Sequence, residues 1–174
     1  MTKYFFTLGI ETHLTYGIYV INFFDTIDKQ SFVFISNPIS KKSTYECIVR
    51  EASYLYNFDS LKVLNNLFKR ERLGSTVVGN GIAIPHVVDE IITEPKGIIS
   101  ILSKGVNFDS LDNIPVDIIF LLFFPSNKKT EYLQILASIS RLLRNTDLTN
   151  KLRGCKSQES AFATFSQIIE YKAA

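Results

Sequence analysis

Residues 116–124 read VDIIFLLFF, and this run limits the fold more than any other stretch of the chain. Eight of its nine side chains are apolar, and the one acid, Asp117, stands second. A strand with one wet face alternates apolar and polar residues, because successive side chains point to opposite sides. Here both sides are apolar, so both must be covered. The run therefore predicts a central strand with helices above and below it.

Helical patterns flank it on both sides in sequence. Tyr45, Ile48, Val49, Ala52, Leu55 and Tyr56 recur at intervals of three and four, the stripe of an amphipathic helix. Residues 57–60 break that stripe, and Asp59 or Ser60 can cap a second helix. Its Leu61, Leu64, Leu67 and Phe68 share a face, and Gly74 ends it. After the central run, Leu133, Leu136, Ile139 and Leu143 mark a third helix, and Leu148 and Leu152 a short fourth. A last helix follows Ser157 with Phe162, Phe165, Ile168 and Ile169. Strand-like pieces lie at 31–36 (SFVFIS) and 98–103, with a turn-rich connection over 105–115. The order predicts a single α/β domain in three layers, a small sheet between two layers of helices.

At 174 residues the chain suits one domain with a real core. We set residues 1–35 apart as an N-terminal arm and place the domain over 36–174. Within the arm, LTYGIYVINFF (14–24) is an uncharged run of eleven. A spanning helix needs about 20 apolar residues. No basic leader or small-residue cleavage site accompanies the run, so a cytoplasmic protein without membrane insertion is expected. Cys47 and Cys155 have no metal-ligand spacing; Cys47, inside a helical stripe, is expected as a buried thiol. The net charge of +2 is small and the basic residues are scattered, which argues against a nucleic-acid partner.

Chemistry concentrates at GNGIAIPH, residues 79–86. Gly79 and Gly81 bracket Asn80 in a turn signature. Ile82, Ala83 and Ile84 suit a short buried strand, and Pro85 biases Ile84 towards an extended backbone. His86 then emerges from an anchored stretch, as a reacting side chain requires. Only His13 offers a second imidazole, and no histidine–cysteine cluster exists, so no metal site is expected. The glycines match neither GxGxxG nor GxxxxGK[ST], and no serine lies in GxSxG. From the local pattern alone, a structural histidine and a nucleophile both stay open.

Arg70-Glu71-Arg72-Leu73-Gly74-Ser75-Thr76, followed by residues 79–86, resembles the EIIA domain of the fructose/mannitol type. That domain belongs to the bacterial phosphoenolpyruvate-dependent sugar phosphotransferase system; the nitrogen-related regulatory EIIA proteins are the nearest branch. Further matches follow in order: residues 108–113 (FDSLDN), Pro115-Val116-Asp117, Phe120-Leu121-Leu122 ending at Pro125, and Leu133-Gln134-Ile135-Leu136. The resemblance implies a phosphotransferase/anion transport protein-like α/β/α fold with a mixed sheet, and it implies no cofactor. It also implies that His86 accepts a phosphoryl group on Nε2 from HPr or a nitrogen-related HPr paralogue, with Arg70 near the phosphate. EIIB or regulatory target proteins would be further partners. Beside these, Ser75, Thr76 and the backbone amides of Gly79, Asn80 and Gly81 are candidate phosphate donors.

Two positions depart from the family pattern. Tyr132 stands where a second active-site histidine is usual; a phenol can donate a hydrogen bond but does not share a proton at neutral pH. Val87 stands where glycine is usual, and its branched side chain is expected to narrow a partner's approach. Three readings stay open: a regulatory phosphoryl acceptor, an EIIA component of sugar uptake, and an EIIA-like interaction module that is not phosphorylated. With no linked EIIB, EIIC or HPr-like segment, the chain is expected to act as a separate, regulatory protein.

Overall fold

The computed structural model describes residues 23–173. A short 3-10 turn (Lys29–Ser31) leads into β1 (Phe32–Ile35), α1 (Lys41–Tyr56) and α2 (Ser60–Glu71). The chain continues through β2 (Val77–Gly79), β3 (Ile82–Ala83), β4 (His86–Asp89), β5 (Lys96–Val106) and β6 (Val116–Pro125). Three helices close it: α3 (Lys129–Leu143), α4 (Thr146–Gly154) and α5 (Gln158–Ala173).

The apolar run becomes β6, in the middle of a mixed sheet ordered β1-β5-β6-β3-β2. β5 pairs with β6 antiparallel; β3 and β4 lie parallel to β6 end to end, at Ile82↔Ile118 and His86↔Leu122. Ile118, Phe120, Leu122 and Phe124 bury against Ile135, Ile139, Leu142, Leu148, Leu152 and Phe165 of the three C-terminal helices. Ile119, Leu121 and Phe123 bury on the other face, against Tyr45, Ile48, Val49 and Ala52 of α1 and Val63 and Leu67 of α2. Both faces of one strand are thus filled, the three-layer arrangement the run predicts.

Three expectations about which residues face inward are corrected. Leu61 is 67% exposed while Val63 and Leu67 are buried, and Leu133 is 51% exposed while Ile135 and Ile139 are buried. Cys47 is half-buried beside fully buried Tyr45, and Cys155 is the buried thiol. The cause is shared: each stands two residues before or after a core position, about 200° around the helix from it.

The helix ends follow local chemistry. Ser40 and Ser43 form a capping box at the start of α1, and Asn57 closes that helix in the left-handed region at φ 57°. The Asp59 side chain accepts from the Lys62 amide, 3.0 Å away, and so caps α2.

Of the run at 14–24, only Phe23 and Phe24 fall within the described residues. Phe23, Ile27, Phe32 and Ile35 are all buried, and β1 lies parallel to β5. The Gln158 side chain donates to the Phe32 carbonyl at 2.7 Å. A boundary at 35/36 therefore falls between a strand and the rest of its sheet. No described helix is long and apolar enough to cross a membrane.

Candidate functional site

The backbone from α2 to β4 presents one imidazole. After Glu71 the chain leaves the helix through Gly74 and runs out to β2. It then reverses through Gly79 (φ 94°), Asn80 (φ 54°) and Gly81 (φ 76°), three consecutive residues in a region that favours glycine and asparagine. The returning strand is anchored twice: the Ile84 amide donates to the Thr76 carbonyl at 2.9 Å, and the Leu122 amide to the Pro85 carbonyl at 3.0 Å. His86 follows as the first residue of β4, half-buried.

Both ring nitrogens of His86 are engaged. Nδ1 lies 3.3 Å from the Ile84 carbonyl oxygen, which can only accept, so the hydrogen-bond network assigns the proton to Nδ1. Nε2 then carries the lone pair, and Nε of Arg70 donates to it at 3.0 Å. Burial lowers the His86 pKa from its ordinary 6.5; the Arg70 charge adds to that, and the Ile84 carbonyl opposes it. The imidazole is accordingly neutral at neutral pH. Arg70 is oriented in turn, because its Nη1 donates to the Gly74 carbonyl at 3.0 Å.

Tyr132, in the first turn of α3, reaches the same place. Its ring centroid is 6.5 Å from that of His86 with 30° between the planes, and it rests on Phe124 at 5.4 Å. His86, Arg70 and Tyr132 therefore come together from β4, α2 and α3. A neutral imidazole with its lone pair beside a guanidinium can attack an electrophile that carries negative charge.

The other candidate residues divide. Thr76 is buried and donates to Oε1 of Glu71 at 2.6 Å, while Oε2 of Glu71 pairs with Lys41 at 2.6 Å. Ser75 is exposed next to Gly74, and its hydroxyl accepts from the Val77 amide at 3.3 Å. Gly79, Asn80 and Gly81 are not brought to the imidazole. The Asn80 amide donates to Oδ2 of Asp112 at 2.9 Å, and its carbonyl accepts from Nη2 of Arg153 at 2.6 Å. Along β6, the partners of Ile82 and His86 are Ile118 and Leu122, which sets the turn about 13 Å or more away.

The expectation for Val87 is corrected. It is 1% exposed and packs into the core beneath α1 and α2, because neighbouring strand residues point to opposite faces. It narrows nothing in front of His86.

Sequence reading passed over Asp89. This acid is 6% exposed, and it accepts from the Asn66 side-chain amide, from Nζ of Lys62 at 3.1 Å and from the Ile91 amide at 3.0 Å. The available signal was the polar spacing of Lys62, Asn66 and Arg70, one helical turn apart on α2.

Comparison with known proteins gives a consistent set of likenesses. The profile described as phosphoenolpyruvate-dependent sugar phosphotransferase system, EIIA 2, matches residues 29–168. The nitrogen regulatory protein of Pseudomonas aeruginosa is 38% identical over 124 residues, 71% of this chain and 80% of that protein. That of Bradyrhizobium diazoefficiens is 34% identical over 127 residues, 73% and 83% of the two chains. The crystal structure of nitrogen regulatory protein IIA-Ntr from Neisseria meningitidis superposes with a TM-score of 0.74 at 27% identity, covering 81% of this chain and 97% of that one.

Proposed function

The chain belongs to the EIIA 2 family of the phosphoenolpyruvate-dependent sugar phosphotransferase system, and on that premise we propose that it is a regulatory phosphoryl acceptor whose acceptor atom is Nε2 of His86. The observation that carries the reading is the pairing of a neutral imidazole, proton on Nδ1, with the Arg70 guanidinium 3.0 Å from Nε2.

The donor is the phosphohistidine of HPr or a nitrogen-related HPr paralogue. The Nε2 lone pair attacks phosphorus, a new P–N bond forms, and the donor's P–N bond breaks with its electron pair returning to the donor imidazole. No proton leaves His86 in this step. The ring instead gains positive charge while it still donates from Nδ1, so the Ile84 carbonyl interacts more strongly with the product than with the free imidazole. Arg70 occupies Nε2 before the reaction and must turn aside for phosphorus to approach. Its planar fork of donors then suits the equatorial oxygens of the moving group. Tyr132 offers a hydroxyl where the family usually has a second histidine. Ser75 follows Gly74, whose carbonyl accepts from Arg70, and is a further candidate donor to the phosphate; the amides of residues 79–81 lie too far from the imidazole to take part.

A regulatory rather than a sugar-uptake role is supported by relatives that are named nitrogen regulatory proteins. Such a protein works in the cytoplasm, and EIIB or regulatory targets are its downstream partners. The test is reconstitution with phosphoenolpyruvate, enzyme I and HPr or its paralogue, read by intact mass. The expected result is a gain of about 80 Da that is lost in acid and absent in His86→Ala. No gain under conditions that label a standard EIIA would leave the interaction-module reading in its place.

A further inference from the structure

We propose that Asp89 is a positioning residue: it holds the helix that carries Arg70 in register on the strand that carries His86, and so keeps the guanidinium at Nε2. Its part in phosphoryl transfer rests on the function proposed above.

Lys62, Asn66 and Arg70 occupy successive turns on one side of α2, about 6 Å apart along its axis. β4 runs against them in the opposite sense. Arg70 meets His86 at the start of the strand, and Asn66 and Lys62 meet Asp89 at its end. The two elements are thus joined by two polar rungs. The apolar contacts of Val63 and Leu67 set which face of α2 turns inward, but they are non-directional and do not define its position along the strand. One rung would leave the helix free to pivot; two fix its height and its rotation.

Arg70's own second bond does not do this work. Its acceptor is the Gly74 carbonyl, in the turn that continues α2, so it travels with the helix. Asp89 supplies a fix that comes from β4 itself, at the end of the strand away from the Glu71–Thr76 contact. Its carboxylate is enclosed, one of its three partners is the Ile91 amide of its own segment, and the other two come from α2. Lys62 also reaches the exposed Glu90 at 3.5 Å, a rim contact that a screened surface pair explains. A buried carboxylate is costly unless every lone pair is occupied, which ties Asn66 and Lys62 to it. Asp89 stands three residues from His86, about 10 Å along the strand, so its influence on the imidazole passes through α2.

That route makes a sharp test. Phosphorylation rates are measured for the parent, Asp89→Ala, Arg70→Ala and the double variant, with circular dichroism confirming each fold. Asp89→Ala is expected to slow uptake about 10-fold, as sub-ångström misplacement of a charged donor does. In the Arg70→Ala background the same change should alter the rate by less than about 2-fold. NMR titration of the His86 ring supplies a readout that needs no phosphate. The His86 pKa should rise in Asp89→Ala towards its value in Arg70→Ala, because the guanidinium has withdrawn. Asp89→Asn keeps the size and one acceptor oxygen and should recover most of the rate. Asn66→Ala cuts the same rung from the helix side and serves should Asp89→Ala fail to fold. Equal slowing in both backgrounds, or an unchanged His86 titration in folded variants, overturns the proposal. A parent that takes up no phosphate refutes the acceptor reading alone, and the titration still decides the role of Asp89.

Discussion

Replacing Gly81 with alanine puts a definite load on the turn before β3. Gly81 sits at φ 76°, a conformation that costs a residue with a Cβ about 1–2 kcal/mol. The added Cβ would lie 2.9 Å from Oδ1 of Asp117, 3.0 Å from the Pro115 carbonyl oxygen and 3.2 Å from Nη2 of Arg153. The Pro115 oxygen is backbone at the entry to β6, so the carboxylate is the group that must move. Asp117 is gripped by both prongs of Arg153, Nε to Oδ2 at 2.8 Å and Nη2 to Oδ1 at 2.9 Å. Displacing Oδ1 weakens one charge-assisted bond, worth about 1.5–3 kcal/mol when sheltered. It is worth less here, because the two side chains are 30% and 28% exposed. Together these give a loss of about 2–4 kcal/mol. For a domain of this size that lowers the melting temperature by about 5–15 °C. The assay is reversible thermal unfolding followed by circular dichroism. Gly154→Ala is the control: its Cβ meets nothing within 4 Å in the last turn of α4, and alanine should add about 0.5–1 kcal/mol of helix stability. The His86 titration should not change in Gly81→Ala, since the turn lies at the other end of β6. A melting temperature within about 2 °C of the parent would refute the steric argument.

Arg70→Ala should fold, raise the His86 pKa as the neighbouring charge disappears, and lose about 2–4 kcal/mol of transition-state stabilisation; NMR titration and initial phosphorylation rates check the two effects separately. Because the folded-state pKa of His86 is depressed, the unfolded chain binds the extra proton first. Stability should therefore be full above about pH 6.5 and fall as pH drops from there towards the folded pKa, with phosphate uptake flat over about pH 6.5–8. Tyr132→Phe keeps the ring on Phe124 and removes only the hydroxyl, so uptake should slow about 3- to 10-fold; a rate equal to the parent's excludes the hydroxyl from transfer. Deletion of residues 2–35 removes, among the described residues, four buried apolar side chains and the parallel partner of β5, each such side chain worth about 1.5–3 kcal/mol. No cooperative melt should remain, and a normal one would mark those residues as a separable arm.

Much of the site was legible one element at a time. The turn at 79–81, the extended segment after it and the exit at His86 follow from the intrinsic preferences of glycine, asparagine and proline. That Arg70 faces His86 across sixteen residues came from a resemblance, since α2's spacing alone reads equally as a wetted helix surface. Asp89 was invisible for the same reason. Its burial depends on Asn66 and Lys62 arriving from another element, and a sequence window sees an acid beside a second acid, Glu90.

The sequence by itself determined what short-range physics governs. The doubly apolar β6 demanded cover on both faces, the stripes marked helices, and Asp59 capped one of them. Tertiary structure decided direction and company. Leu61, Leu133 and Cys47 lie about 200° from core positions, and the phase of each helix was set by the sheet it packs on rather than by its own spacing. Val87 faces the core, away from the imidazole, because pairing of β4 with β6 fixes which face each residue takes. The Asn80 amide went to Asp112, while the Asn80 carbonyl accepts from Arg153 and the Gly81 carbonyl from the start of β6, through registers between distant strands. Contacts of this kind depend on where whole elements come to rest, and no local preference carries that information.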